Sequence, residues 1–301
     1  MNSNLKGIIF IAVGASSYGV LATFVKYANN NGFGTAGLAF SQYLFGAVVL
    51  SIVSFFISQK SKSTIKKPII SRCPKLKLML FGTTLGLTSS FYYLSIQYVP
   101  VSVGIILLMQ TIWMGVVLEY FVARHLITNT KILGAILAIL GTALAAKLFE
   151  GEISINFTGI GFGLLAALSY TGAMYTSNKV ALELPIITRS KYLVLGGLIV
   201  VTMFWNFQIL EEFNLPLFLK WGTFLGFFGT ILPPILFNKG FPEIGTGLGS
   251  IIAALEIPVS VFSAYLVLNE KISVLQWLGI LIILIAVLVI NWTNLFRRSK
   301  K

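Results

Sequence analysis

The stretch from Ile257 to Gly279 reads IPVSVFSAYLVLNEKISVLQWLG, and the stretch from Ile112 to Gly134 reads IWMGVVLEYFVARHLITNTKILG. Aligned at an offset of 145 residues, both begin with a long apolar run, pass through a polar turn and enter a second apolar run. The turn contains Arg124-His125 in the first stretch and Asn269-Glu270 in the second. Similarity at a fixed offset indicates a duplicated structural unit.

Two further pairs of short segments support the duplication because they keep the same order along the chain. Ser17-Tyr18 matches Ser169-Tyr170, and Ser41-Gln42-Tyr43 matches Ser190-Lys191-Tyr192. The sequence therefore predicts two related halves, which we place at residues 1–149 and 150–301.

The composition excludes an ordinary water-soluble domain. Hydrophobic residues make up 56% of the 301 residues and charged residues only 10%, and the mean hydropathy is +0.90. A soluble domain carries about 25% charged residues, which it needs to cover its surface. The net charge of +13 does not indicate nucleic-acid binding, because the cations lie in short segments between apolar runs.

A helix needs about 20 apolar residues to cross about 30 Å of hydrocarbon, and ten runs of roughly this length follow one another. They are continuously apolar rather than alternating, which favours helices over a barrel. We therefore predict an all-α polytopic membrane protein with ten transmembrane helices. The runs are Leu5 to Tyr27, Ala36 to Ser58, Leu76 to Ile96, Ser102 to Val122, Ile132 to Leu148, Thr158 to Asn178, Tyr192 to Ile209, Trp221 to Phe237, Thr246 to Leu268 and Val274 to Trp292.

The distribution of Lys and Arg predicts the orientation of these helices. With the N-terminus in the cytoplasm, 18 of the 22 basic residues fall on the cytoplasmic side, as positively charged loops do. The other four are Lys26, Lys147, Lys220 and Lys271. Both termini are expected in the cytoplasm. Each half has five helices, and because this number is odd, the two halves enter the membrane from opposite sides. The sequence therefore predicts two inverted five-helix repeats.

Three segments carry a family resemblance: Leu255-Glu256-Ile257-Pro258-Val259, the run from Tyr265 to Glu270, and Gln276-Trp277-Leu278-Gly279. Together they resemble the EamA branch of the drug/metabolite transporter superfamily, and the similarity extends over essentially the whole chain. The resemblance implies a five-plus-five inverted repeat, a central cavity, and transport of metabolites, amino-acid-like compounds or drugs.

Several residues depart from the pattern of that family. Asn269 stands where the family usually has Gly, Trp113 replaces a Pro, and His125 replaces a Glu. Gln42 occupies the position of a frequent Arg, and Tyr18-Gly19 stands for Trp-Gly. A cavity with fewer cations is expected to suit phosphorylated or strongly anionic solutes less well.

Glu256 is the first candidate for solute binding because it lies near the middle of the ninth predicted helix. A carboxylate at that depth costs at least about 2.5–3.5 kcal/mol on insertion scales, so it marks a functional position by default. It is expected to bind a proton or a substrate ammonium; the structural alternative is a hydrogen-bonded Glu that only ties helices together.

The other candidates for the cavity are polar or aromatic side chains within the predicted helices: Gln110, Trp113, Tyr18, Tyr170, Tyr92, Gln42 and Glu119. Gln110 and Trp113 share one helix face at a three-residue spacing. Glu119 lies about one turn from the cytoplasmic end of the fourth predicted helix. Polar side chains also join helices in lipid, and tyrosines also anchor helices at the membrane surface, so these alternatives stay open.

The residue inventory argues against an enzyme. The chain has no Asp, His125 is its only histidine, and it contains neither a Walker loop nor a zinc-binding His pair. We expect no metal, no cofactor and no nucleic acid, and the single Cys73 excludes an internal disulfide. The sequence predicts a secondary transporter of the bacterial inner membrane, an exporter that works by alternating access; a channel or scaffold is the alternative. Proton coupling and oligomeric state stay open.

Overall fold

The computed structural model describes residues 3–60, 73–123, 129–145 and 156–290, in which every regular element is helical. Arg124, His125 and the basic residues at 61–72 and after 290 lie outside these ranges. In chain order the helices are α1 (Ser3–Asn30), α2 (Thr35–Lys60), α3 (Pro74–Tyr98), α4 (Val101–Leu108), α5 (Thr111–Ala123), α6 (Asn129–Ala145), α7 (Phe157–Lys179), α8 (Ile186–Trp205), α9 (Phe207–Glu212), α10 (Leu215–Leu217), α11 (Thr223–Leu225), α12 (Leu232–Ala253), α13 (Glu256–Leu268) and α14 (Val274–Ile290). Two π-helical stretches, Phe218–Gly222 and Gly226–Ile231, connect α10, α11 and α12.

The described helices account for the ten predicted membrane spans. Six segments are long and apolar enough to cross a bilayer: Leu5–Asn30, Thr35–Ile57, Val101–Leu118, Phe157–Thr176, Ile186–Trp205 and Leu215–Ile244. The other predicted spans correspond to the 25-residue α3 and to three shorter apolar helices: Asn129–Ala145, Glu256–Leu268 and Val274–Val289. The all-α polytopic fold is confirmed, and the segments are compatible with ten spans.

The structure differs from the predicted spans at three places. The predicted loop between the eighth and ninth spans, residues 238–245, is helical, because α12 runs without interruption from Leu232 to Ala253. Lys239 and Pro242 lie in this segment and are typical of a loop, but Lys239 is exposed on the helix surface, with its ammonium 4.2 Å from the ring centre of Phe10. Conversely, the predicted fourth and ninth spans each break in the middle, at Met109-Gln110 and at Ala254-Leu255.

The two breaks have the same geometry at the repeat offset of 145 residues. The Gln110 N–H donates to Leu107 O at 3.0 Å, and the Leu255 N–H donates to Ile252 O at 3.1 Å. Both are bonds to the third preceding residue, which tighten the helix as a 3₁₀ turn does. Pro258 lies after the second break only. The break in the first half therefore forms without a proline.

Packing between the helices also follows the repeat. Helix α1 packs on α12 and α13, and its counterpart α7 packs on α3, α4 and α5. A Cβ built on Gly7 of α1 would lie 2.6 Å from Ile244, and one built on Gly159 of α7 would lie 2.8 Å from Val99. Gly159 and Val99 are the repeat equivalents of Gly7 and Ile244. The division at residues 149 and 150 stays a prediction, because that boundary lies outside the described residues.

Helices α3 and α8 approach each other through glycines, so their backbones touch. A Cβ on Gly86 of α3 would lie 2.5 Å from the carbonyl oxygen of Gly197 in α8. Small residues at such a contact are typical of helix packing in membranes. By contrast, a Cβ on Gly161 of α7 would meet nothing within 4 Å.

Glu270 joins the ends of several helices at one end of the bundle. Its carboxylate accepts hydrogen bonds from the N–H groups of Val101, at 2.7 Å, and Ser102, at 3.0 Å, and so caps α4. Asn269, in the left-handed region at φ 55°, ends α13 directly before it. Lys26 of α1 donates to Ile96 O of α3 at 2.5 Å beside this cap. The hydrogen bonds of Glu270 to α4 therefore connect the two halves of the chain at this end of the bundle.

Arg189, one of the basic residues that the charge distribution assigns to the cytoplasmic side, is buried near the start of a helix. It lies in the first turn of α8 and is only 2% exposed. Its guanidinium donates to Asn238 O at 3.4 Å, and the Asn238 amide donates to Ser190 Oγ at 3.0 Å. Buried hydrogen-bond partners on α8 and α12 hold the cation within the bundle.

The π-helical stretch Gly226–Ile231 precedes the consecutive prolines Pro233 and Pro234, which cannot donate backbone hydrogen bonds. The Leu232 N–H donates to Phe227 O, five residues back, which leaves Phe228 O without the partner of a regular α-helix. Ser17 of α1 donates to this oxygen at 2.6 Å. The irregular turn is therefore stabilised by the other half of the chain.

Candidate functional site

Glu256 is the first residue of α13 and directly follows the break at Ala254-Leu255. Its side chain is 4% exposed. The Tyr170 hydroxyl of α7 donates to Glu256 Oε2 at 3.1 Å. The N-terminus of a helix favours a nearby anion, so the break supports a carboxylate in the interior of the bundle.

Tyr18 of α1 lies on the other side of Tyr170. The two ring centres are 6.4 Å apart and nearly perpendicular, and Tyr18 also packs edge to face on Phe237 at 5.6 Å. The backbones of α1 and α13 meet here, because a Cβ on Gly19 would lie only 2.8 Å from Glu256 O. The glycine after Tyr18 brings this aromatic ring close to the acid.

Tyr92 of α3 contributes a hydroxyl next to Ser260, one turn beyond Glu256 on α13. The Tyr92 side chain lies near Glu256 and near the Ser260 hydroxyl. Both oxygens are buried, yet neither makes a well-formed hydrogen bond. Ser260 shares a helix face with Glu256 at a spacing of four residues. The interior therefore holds one acid and, beside it, two neighbouring hydroxyls that are at most weakly paired with each other.

Gln42 of α2 connects to the same tyrosines through Tyr93, which sequence reasoning missed. The Tyr93 hydroxyl donates to Gln42 Oε1 at 2.5 Å, and Gln42 is almost fully buried. Tyr93 lies near Tyr18 and Tyr92. Ser260 was also missed; its position four residues after Glu256 was the available signal.

Gln110 and Trp113 form a separate cluster. The Trp113 indole N–H donates to Gln110 Oε1 at 2.9 Å, and the Gln110 amide donates to Thr142 of α6. These contacts direct Gln110 toward α6, whereas Glu256 contacts α7. The Glu119 backbone lies in α5, but its side chain is outside the described residues.

The repeat equivalent of Glu256 is Thr111, which also begins a helix directly after a break. The Thr111 hydroxyl pairs with that of Thr171 on α7 at 2.7 Å. The two halves thus place different chemistry at equivalent positions. Within the described residues, no group of three or more His, Cys, Asp or Glu side chains is arranged to hold a metal ion.

Comparison with known proteins identifies the family. The sequence model of the EamA-like transporter family matches residues 5–147 and, a second time, residues 157–292. The chain belongs to the EamA-like transporter family. Two matches in one chain agree with the two repeated helical halves of this family. It is a multi-pass membrane protein of a family that binds and transports small solutes.

Two relatives of this EamA-like chain are named as uncharacterized transporters. It is 26% identical to the uncharacterized inner membrane transporter YicL of Salmonella typhimurium, over 97% of each chain. It is 24% identical to the uncharacterized transporter YyaM of Bacillus subtilis, over 80% of this chain and 79% of the relative. One crystal structure matches over 99% of both chains with a TM-score of 0.66 and 15% identity, which is a likeness of fold alone.

Proposed function

We propose that this protein is a secondary transporter that exports small solutes across the bacterial inner membrane by alternating access. The solute binds at Glu256, with Tyr170, Tyr18 and Tyr92 around it. The observation that carries this proposal is the position of Glu256: a buried carboxylate at the break of a membrane span, in contact with α7 and next to α1.

Elements of both halves meet at this position. Tyr18 and Tyr92 come from the first half, and Tyr170 and Glu256 come from the second. In inverted-repeat transporters, the solute binds between the repeats near the middle of the bilayer, often at broken helices. Rocking of one half against the other then exposes the same site to either side of the membrane.

Solute counterflow in proteoliposomes tests the transport proposal. Vesicles containing the protein and a high internal concentration of unlabelled solute are expected to take up the labelled solute transiently and with saturation. Metabolite profiling of cells with and without the protein supplies the solutes, and an exported solute accumulates in cells that lack it. Uptake that rises linearly without saturation would instead indicate a channel, and no exchange of any profiled solute would indicate a scaffold.

Both termini are proposed to lie in the cytoplasm, which places Cys73 on the cytoplasmic side. Cys73 is exposed, precedes α3 and is the only cysteine of the chain. A membrane-impermeant maleimide is therefore expected to leave the protein unlabelled in intact spheroplasts and to label it in inside-out vesicles. Mass spectrometry of the purified protein measures the labelled fraction.

The matched control places one cysteine at the opposite end of the bundle. Asn31 is exposed and follows α1. The double variant Cys73→Ser, Asn31→Cys is expected to be labelled in intact spheroplasts. If native Cys73 is labelled in intact spheroplasts and the double variant is not, the protein has the opposite orientation to the one proposed.

A further inference from the structure

From the groups around Glu256, we infer that the solutes are organic amines that are cationic at neutral pH and carry a hydroxyl group, rather than zwitterions or anions. The amine binds at Glu256, and the hydroxyl group binds at Tyr92 and Ser260. This inference rests on the proposed function, since it names the solutes for the same site.

The charge of the site favours a cation. The interactions found for Glu256 among the described residues are with tyrosines, and no Lys or Arg takes part in them. Lys26 interacts with Glu270 and Ile96, and Arg189 interacts with Asn238 at its own end of α8. A buried carboxylate favours a partner of opposite charge, whereas the carboxylate of an anionic or zwitterionic solute would find no cationic partner at Glu256 among the described residues.

The aromatic side chains also suit a cation. Tyr18 and Tyr170 pack edge to face, so their ring planes are nearly perpendicular beside the acid. An ammonium group is attracted to the face of an aromatic ring, and the attraction grows when water is excluded. The hydroxyl of Tyr170 already donates to Glu256, which leaves the second carboxylate oxygen, Oε1, for the solute.

The hydroxyls of Tyr92 and Ser260 indicate a second polar group on the solute. Both are buried without a well-formed hydrogen bond, and buried polar groups in proteins are nearly always paired. Ser260 lies one turn from Glu256, about 6 Å along the helix axis at a rise of 1.5 Å per residue. A solute hydroxyl both donates and accepts, so it can satisfy these two oxygens while the amine stays at Glu256.

Four matched compounds test this inference by isothermal titration calorimetry on the full chain in nanodiscs. The probes are tyramine, 2-phenylethylamine, tyrosine and 3-(4-hydroxyphenyl)propionate. Tyramine is expected to bind at least tenfold more tightly than tyrosine and the propionate, and about fivefold more tightly than 2-phenylethylamine, as loss of one hydrogen bond predicts.

Two variants separate the two parts of the site. Ser260→Ala and Tyr92→Phe are each expected to lower the affinity ratio of tyramine to 2-phenylethylamine from about fivefold to about one, because the hydrogen bond to the solute hydroxyl is lost. A preference for tyrosine or the propionate, or no binding of tyramine up to about 10 mM, would overturn the inference.

Counterflow of the same probes distinguishes failure of the inference from failure of the proposed function. Saturable exchange of tyrosine without exchange of tyramine supports a transporter and rejects the amine. Tight binding of tyramine without exchange of any profiled solute supports the amine site and rejects transport.

Discussion

Glu256→Gln is expected to reduce saturable solute exchange at least tenfold while the protein still inserts and folds. Glutamine has the size of glutamate and can still accept the hydrogen bond from Tyr170, so the packing between α7 and α13 is retained. The substitution removes only the charge, and hydrogen bonds to charged groups contribute about 1.5–3 kcal/mol, or tenfold and more in affinity. The measurement is the ratio of maximal rate to half-saturating concentration in counterflow.

Glu211→Gln provides the control for this substitution. Glu211 is exposed at the end of α9, distant in sequence and environment from the buried acid, and its substitution is expected to leave exchange within twofold of wild type. If Glu256 also binds a coupling proton, exchange by the wild type changes with pH and the residual exchange of the variant does not. If Glu256→Gln exchanges solute at the same rate as the wild type at every pH between 5 and 9, Glu256 serves only in helix packing.

Gly86→Ala is expected to destabilise the protein by about 1–3 kcal/mol, the usual cost of overpacking a close contact. The added methyl group would lie 2.5 Å from the Gly197 carbonyl oxygen, which belongs to a backbone and cannot rotate away. Helices α3 and α8 must therefore separate. Thermal unfolding in detergent, followed by intrinsic fluorescence, measures the decrease in Tm.

The same substitution at Gly161 separates packing from helix propensity. Alanine in a helix is about 1 kcal/mol more favourable than glycine, and nothing lies within 4 Å of the new methyl group. Gly161→Ala is therefore expected to leave Tm unchanged or raise it. Equal Tm values for Gly86→Ala and wild type would show that α3 and α8 can move apart without loss of folding stability.

The sequence predicted the helical spans well because each span is a local property of about 20 consecutive residues. The breaks at Met109-Gln110 and Ala254-Leu255 were not predicted, since one or two polar residues within a long apolar run do not mark the end of a membrane helix. Lys239 and Pro242 were assigned to a loop because a charge and a proline usually end a membrane helix. In α12 the Lys239 ammonium lies against a ring of α1, a contact that no local pattern contains.

The candidate site was predicted in part. Four of the named side chains, Glu256, Tyr170, Tyr18 and Tyr92, lie together in the structure, although their role in solute binding stays a proposal. A charge within an apolar run identified Glu256, and the repeat identified the two related tyrosines. Gln110 and Trp113 share a helix face as predicted, but spacing along one helix does not show which neighbouring helix that face meets. Their bonds lead to α6.

The difference between Thr111 and Glu256 has a consequence for stoichiometry. The internal repeat makes Glu256 and Thr111 equivalent positions, but one carries a carboxylate bonded to Tyr170 and the other a hydroxyl paired with Thr171. A fully symmetric site would offer two equivalent places for a charged group. The proposed site offers one, on the second half of the chain, so each transport cycle is expected to carry a single amine.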